Sequence, residues 1–330
     1  MADVVRIAPE VAAALRDGAP VVALESSVLA QGLPEPANRE AAERMVSAVR
    51  ARGAVPAITA VVAGVPAVGL TEAELGRFLA RAGVVKLSAR DIPLAMARGA
   101  DGATTVAATL VLAHAAGIAV FATGGIGGVH REDGPPGAVR DESADLLELA
   151  RTPMVVVCSG AKSILDLEGT MERLETLGVP VAGYRTSELP GFFTTATGIG
   201  LPARLESPAE VAGAYRAQRA LGRRQSLVVA QPPPEAYALT RSVVDAAVVA
   251  GLERARAQRV RGGAVTPFLL TEVQRVTAGK SIGANLALLE SNAALAAEVA
   301  LELARGRAVG DDTERGERPR QAAGRQGGNG

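Results

Sequence analysis

MVVVCSGAKSILDLEGTMERLETLGVPVAGY, residues 154–184, decides the fold. Residues 154–158 are an apolar, valine-rich run closed by Ser159 and Gly160, the pattern of a sheet-core strand. Residues 163–177 then follow helical spacing, and a second apolar run begins at Val179 and ends at Tyr184. Strand and helix in alternation require a largely parallel sheet with helices packed on it.

The alternation continues on both sides. Val21–Leu24, 57–62, 84–86, 118–122 and Leu227–Ala230 read as further strands, with helices expected at 38–52, 72–81, 103–116, 143–150, 208–219 and 234–258. Two last helices, 266–277 and 282–305, have no strand after them and are expected to pack back over the sheet. The expected class is α/β: three layers, α/β/α, around a central, largely parallel or mixed sheet. Neither a repeat nor a linker interrupts residues 1–305, so they read as one domain. Residues 306–330, GRAVGDDTERGERPRQAAGRQGGNG, are polar and aperiodic, which predicts a disordered tail.

Composition narrows the function. The chain has 330 residues, 48% hydrophobic, and a formal net charge of zero; a large core is affordable, and no general attraction to nucleic acid or anionic membrane exists. Cys158 is the single cysteine, and His114 and His130 are the two histidines. An intrachain disulfide and a Cys- or His-rich zinc site are thereby excluded, and any metal would be oxygen-bound, as magnesium or manganese is. Residues 103–128 carry few charges, but Gly117 and the glycines at 124–128 break them into a buried helix and a buried strand rather than a membrane span. The opening MADVVRIAPEVAAALRDG contains Asp3, Glu10 and Asp17 and lacks a signal-peptide core, so a cytoplasmic location is expected.

Only three of the 35 cationic side chains are lysines: Lys86, Lys162 and Lys280. Arginine carries charge but cannot serve as an amine nucleophile, so each lysine is a candidate for amine chemistry. In open α/β sheets ligands collect at the carboxyl ends of strands, and unusual residues fall there. Glu25 directly follows a strand, where burial would raise its pKa toward useful acid strength; its structural alternative is a turn cap. Lys86, with Arg90 close behind, suits a phosphate, or pairs with Asp91. Residues 102–106 open an expected helix whose N–H groups favour an anion, although a threonine cap explains the same letters.

Thr123 precedes Gly124, Gly125, Gly127 and Gly128, whose spacing fails the dinucleotide fingerprint but lets a ligand approach the backbone, and His130 ends the cluster. Asp141 and Asp145 flank Ser143 at a helix start and offer hard oxygen ligands to a divalent cation, or simply cap that helix. Lys162 follows an apolar strand at the expected mouth of a helix, where desolvation and the positive helix end both push an amine pKa down. It is the best nucleophile in the chain, able to attack a sugar C1 or a carbonyl and form a Schiff base.

Several blocks together resemble the pseudouridine-5'-phosphate glycosidase family, which includes the indigoidine A proteins. They are ALESSVLAQGLPEP (23–36), KLSARDIP (86–93), GATTVAAT (102–109), FATGGIGGVHR (121–131), SADLLELA (143–150), CSGAKSILD (158–166), VTPFLL (265–270) and GKSIGANLALLESNAALAAE (279–298). The likeness runs from about residue 4 to about residue 305. It implies a homotrimeric enzyme with one Mn2+ per subunit. The implied reaction splits the C–C glycosidic bond of pseudouridine 5'-phosphate, reversibly, into uracil and ribose 5-phosphate through a lysine–ribose Schiff base.

By the same resemblance Glu25 is the proton donor and Lys162 the covalent nucleophile. Lys86, Val106, Ser143, Ala144 and Asp145 contact substrate, Asp141 binds the metal, and Thr123, His130 and Asn285 lie near the uracil. Lys280 sits beside the site without an assigned role. Gln31 and Gln231 depart from the histidine and asparagine common in that family, and the loop between His130 and Ser143 is longer. Two other functions remain: a Schiff-base aldolase or lyase acting on a sugar phosphate through the same Lys162, and a non-catalytic sugar-phosphate sensor, against which the presence of both Glu25 and Lys162 argues.

Overall fold

A computed structural model of the chain describes residues 4–131, 140–260 and 265–316. In chain order its strands are β1 (Arg6–Ile7), β2 (Val21–Leu24), β3 (Val55–Val62), β4 (Val65–Val68), β5 (Val85–Leu87), β6 (Gly102–Thr104) and β7 (Val120–Ala122). There follow β8 (Val129–His130), β9 (Val155–Cys158), β10 (Leu165–Asp166), β11 (Val181–Tyr184), β12 (Arg204–Leu205) and β13 (Leu227–Ala230). Among the described residues they form an 11-stranded sheet in the order β1-β4-β3-β2-β7-β9-β13-β11-β12, with β6 and β5 branching from β3, and a separate β8–β10 pair. Pairing is parallel from β3 through β12, and antiparallel where β3 meets β4 and β6.

The central strands are Val- and Ala-rich, and every residue of β2, β7, β9, β11 and β13 is buried, as strands covered on both faces require. The helices are α1 (Pro9–Arg16), α2 (Ala37–Arg50), α3 (Glu72–Ala80), α4 (Ile92–Arg98), α5 (Val106–Ala115), α6 (Ala144–Arg151), α7 (Leu167–Thr176), α8 (Pro208–Ala220), α9 (Arg241–Ala257), α10 (Val265–Val276) and α11 (Lys280–Gly316). The helix α11 packs on α2, α8 and the inner strands β2, β7 and β9, while α5 packs with α6 and α6 with α7. The expected α/β layering around a largely parallel sheet is what the chain adopts.

Five local expectations change, the first being that the helix expected at 234–258 starts only at Arg241. Residues 102–104 form β6 rather than the first turn of a helix, and α5 starts only at Val106, capped by Thr105. Lys86, expected as the last residue of its strand, lies in the middle of β5. The helix expected from residue 163 begins at Leu167, capped by Asp166, whose carboxylate accepts the Gly169 N–H at 2.9 Å. An Asp cap outcompetes helix propensity in the preceding residues, so no helix end stands at Lys162. Finally α11 runs past Arg305 to Gly316, because extending a formed helix costs far less than starting one; residues 317–330 of the expected tail lie outside the described residues. Among the described residues no helix is long and apolar enough to cross a membrane.

Candidate active site

The parallel strands β2, β7 and β9 end level, with Leu24 beside Ala122 and Ala122 beside Val157. The chain passes from β2 outward to β3 on one side, and from β7 to β9 on the other. The β2/β7 boundary is therefore the point where strand order reverses and a crevice opens at the carboxyl ends. Glu25 leaves β2 there, Thr123 leaves β7, and residues 159–162 leave β9.

Glu25 is only 4% exposed. Its Oε2 accepts the Ser27 hydroxyl at 2.5 Å, and its Oε1 accepts the Thr123 hydroxyl. Ser26 turns the other way: its Oγ donates to the Thr59 carbonyl at 2.6 Å and accepts the Thr104 N–H at 2.9 Å. The hydroxyls of Thr59, Thr104 and Thr109 complete a buried network. Buried polar groups are costly unless bonded, so this network fixes the strand exit against β3, β6 and α5. After Ser27 the chain makes one π-helical turn, Val28–Gly32, a form concentrated at functional sites.

The Lys162 loop is laced to the glycine cluster. Ala161 bridges Ile126, the Lys162 N–H donates to the Ile126 carbonyl at 3.1 Å, and the Ile126 N–H donates to the Gly160 carbonyl at 3.1 Å. Lys162 itself is half-buried. Lys86 is exposed by accessible area, yet enough protein surrounds its ammonium group that desolvation, reinforced by the charge of Lys162, lowers its pKa against the opposing pull of Asp145 and Glu25.

These groups line one cleft. Glu25, Ser27, Lys86, Lys162, Gln31 and Asn285 supply its polar groups, and Val28, Phe192 and Leu270 its apolar ones, over Gly124 and Gly125. Phe192 holds a left-handed φ of 64°, and its N–H donates to the Ser159 carbonyl at 2.9 Å. A Cβ on Gly125 would stand 2.6 Å from its Cδ2, so the glycine is what admits the ring. Asn285, on α11, is 6% exposed, and its Oδ1 has no hydrogen-bond partner among the described residues. Asn292, farther along the same helix, donates from Nδ2 to the Thr123 carbonyl at 2.9 Å and to Ser159 Oγ at 3.1 Å. The helix α11 is thereby tied to the ends of β7 and β9. A larger cavity lies beyond the Lys162 loop among Arg131, Arg140 and Arg241; neither Glu25, Lys86 nor Lys162 lines it.

Residues 10–302 match the family described as indigoidine synthase A like protein. The chain belongs to that family. It is 59% identical over 293 residues to a pseudouridine-5'-phosphate glycosidase of Gemmatimonas aurantiaca, covering 89% of this chain and 94% of the relative. It is 52% identical over 299 residues to one of Herpetosiphon aurantiacus, covering 90% and 97%. Among solved structures, the prealnumycin C-glycosynthase AlnA in complex with ribulose 5-phosphate matches with TM-score 0.85 and 39% identity, covering 93% of this chain and 99% of that one. An indigoidine synthase A-like protein of Thermotoga maritima matches with TM-score 0.82 and 38% identity, covering 92% and 97%.

In this indigoidine synthase A-like chain, Glu25, Lys86, Lys162 and Asn285 meet in the cleft, while the other expected contacts stand around it. Thr123 holds Glu25 and is not among the cleft-lining residues. Asp145 Oδ1 accepts the Ala107 N–H at 2.9 Å and its Oδ2 accepts the Gly127 N–H at 2.8 Å, joining Val106 at the start of α5 to the glycine cluster. Ser143 caps α6 by accepting the Asp145 N–H at 3.2 Å, and Ala144 beside it is exposed. His130 lies on β8 opposite Leu165. Gln31 lines the cleft, whereas Gln231 bonds Ser291 outside it. Lys280 is exposed at the start of α11 and does not line the cleft.

Asp141 is exposed, with its carbonyl accepting the His130 N–H at 2.9 Å. Among the described residues no three of His, Cys, Asp or Glu come together. One exposed carboxylate fits a hard cation that keeps most of its water, as magnesium-like ions do, rather than a closed protein cage.

Sequence reasoning missed Ser27, Val28, Phe192 and Leu270. A signal existed for Phe192: the chain holds five phenylalanines, and two stand together at 192–193 in the loop after β11. Leu270 is indistinguishable from any apolar residue of its helix.

Proposed function

We propose that this chain is a pseudouridine-5'-phosphate glycosidase, reversibly converting pseudouridine 5'-phosphate to uracil and ribose 5-phosphate. The observation that carries the proposal is one cleft lined by a buried carboxyl, Glu25, and two lysines, Lys162 and Lys86. Relatives at 59% and 52% identity bear that name, and the related C-glycosynthase holds a pentulose 5-phosphate on the same fold.

A C-nucleoside has no leaving oxygen for an acid to protonate, so ordinary glycosidase chemistry cannot cleave it. Here Glu25 gives its proton to the ribose ring oxygen as the C1'–O bond breaks, and the Lys162 amine bonds to C1' and returns a proton to the Glu25 carboxylate. The nitrogen lone pair then forms the C1'=N bond while the C1'–C5 electrons pass to the uracil ring. The recharged Glu25 protonates the uracil ring at C5 as the C1'–C5 bond breaks, the electrons of that bond restore the C5=C6 double bond, and neutral uracil leaves. Water hydrolyses the iminium, releasing ribose 5-phosphate and restoring Lys162. Lys86 meets the phosphate as a point charge. The unpartnered Asn285 Oδ1 accepts a ring N–H, and Phe192 and Leu270 cover the flat base.

The proposal extends to a cytoplasmic homotrimer with one Mn2+ per subunit, on the ground of the family resemblance. Asp141 would hold that cation with water, and a bound cation would supply charge neutralisation for substrate oxygens. Chelation of divalent cations is expected to suppress turnover and added manganese to restore it; full activity after exhaustive chelation would remove the cation from the reaction.

The deciding experiment is incubation with pseudouridine 5'-phosphate, borohydride reduction and mass mapping of the adduct. Free uracil and a pentose 5-phosphate adduct on Lys162 are expected. An adduct without uracil release from this substrate would favour an aldolase or lyase, and ligand binding with neither product would favour a sensor.

A further inference from the structure

Ser27 occupies the position that should cap the π-turn beginning at Val28, but its side chain makes no cap hydrogen bond. A serine at a helix start ordinarily accepts a backbone N–H one turn on. Here the hydroxyl is turned back on its own strand exit and donates to Glu25 Oε2 at 2.5 Å. Ser27 is 9% exposed and shares the cleft wall with Glu25, whereas Thr123, on the other carboxylate oxygen, does not line the cleft. The neighbouring Ser26 shows what a structural hydroxyl looks like in this segment: its Oγ bonds Thr59 and Thr104 rather than the Glu25 carboxylate. Two adjacent serines therefore have opposite orientations, one toward the core and one toward the reacting acid.

We propose that Ser27 is a positioning residue for proton donation, acting through Glu25; the inference rests on the reading of Glu25 as the acid. When Glu25 passes its proton to the ribose ring oxygen, the C1'–O pair goes to that oxygen and Glu25 is left as a carboxylate. A hydroxyl donor bonds a carboxylate more strongly than a neutral acid. The Ser27 bond thus strengthens as the proton leaves, and only interactions that strengthen toward the transition state accelerate the step. Thr123 supplies the same donor on the core side, so Ser27 is the member of the pair that substrate meets. The ligand contact of Ser27 itself is incidental to this role, which predicts an effect on turnover and not on binding.

The test is steady-state kinetics of the full chain with pseudouridine 5'-phosphate for wild type, Ser27→Ala, Ser27→Thr and Ser27→Cys, with thermal unfolding of each. Ser27→Ala is expected to lower kcat by roughly ten- to a hundredfold, the size of one hydrogen bond to a charged group, with KM within about threefold. Ser27→Thr restores the hydroxyl and with it most of kcat. Ser27→Cys, of similar size but a weak donor, stays near the alanine value. The Thr-against-Cys comparison decides the matter should the alanine variant fail to fold. An alanine variant as fast as wild type, a loss confined to KM, or a threonine variant no better than the cysteine one would each overturn the role. Wild type that releases no uracil would instead defeat the glycosidase reading, so the two failures are distinct.

Discussion

Lys86 shares its surroundings with Lys162, Glu25 and Asp145, and desolvation followed by the Lys162 charge holds its pKa below that of an ordinary lysine. Attraction for a phosphate is therefore complete below that lowered pKa and is lost as pH rises through it. The alkaline fall of kcat/KM is expected earlier than a free lysine would give. Lys86→Arg, whose guanidinium stays charged, should move that fall to higher pH, and Lys86→Ala should raise KM roughly ten- to a hundredfold. A pH–rate profile unchanged in the arginine variant would show that another group titrates. The scarcity of lysine made Lys86 and Lys162 legible in the sequence, and they share one cleft; the same scarcity also flagged Lys280, which does not line it. Ser27 was illegible because side-chain direction, not residue type, distinguishes it from Ser26.

The run of glycines after β7 divides between two uses. Gly124 and Gly125 lie beneath Phe192, while Gly127 and Gly128 let Ser143, Asp145 and Thr170 pack against the backbone. A Cβ on Gly127 would stand 2.6 Å from Asp145 Oδ2, which is held by the Gly127 and Ala107 N–H groups. Gly127→Ala is expected to destabilise the protein by about 1–3 kcal/mol, as overpacking does, and to lower turnover with it. Gly76, inside α3 with nothing within 4 Å of an added Cβ, provides the contrast: Gly76→Ala should stabilise by up to about 1 kcal/mol. Thermal unfolding of the two variants checks both, and a neutral Gly127→Ala would mean that the α6 start shifts freely. The existence of this loop was readable from four glycines. Its packing against Phe192, Ser143, Asp145 and Thr170 was not, because those side chains are brought to it by the fold rather than by neighbouring sequence.

At the scale of the molecule, alternating apolar runs and helical spacing located the central strands to within a few residues, since strands buried on both faces have little compositional freedom. The short strands β1, β4 and β12 escaped notice, being set by neighbours rather than by their own two to four residues. Strand order was likewise invisible, and with it the reversal between β2 and β7 that brings Glu25 beside Thr123. Of the two helices expected to lie over the sheet, α11 does so while α10 packs on α9 and α11; α11 contributes Asn285 to the cleft and Asn292 to the ends of β7 and β9. These side chains are among the last of the described residues to be synthesised, while Glu25 is among the first. A chain still emerging from the ribosome can fold much of its sheet, but its cleft lacks a wall until α11 arrives. Such a partly made protein is thereby barred from catalysis, and no amino-terminal fragment ending before that helix can be an active enzyme.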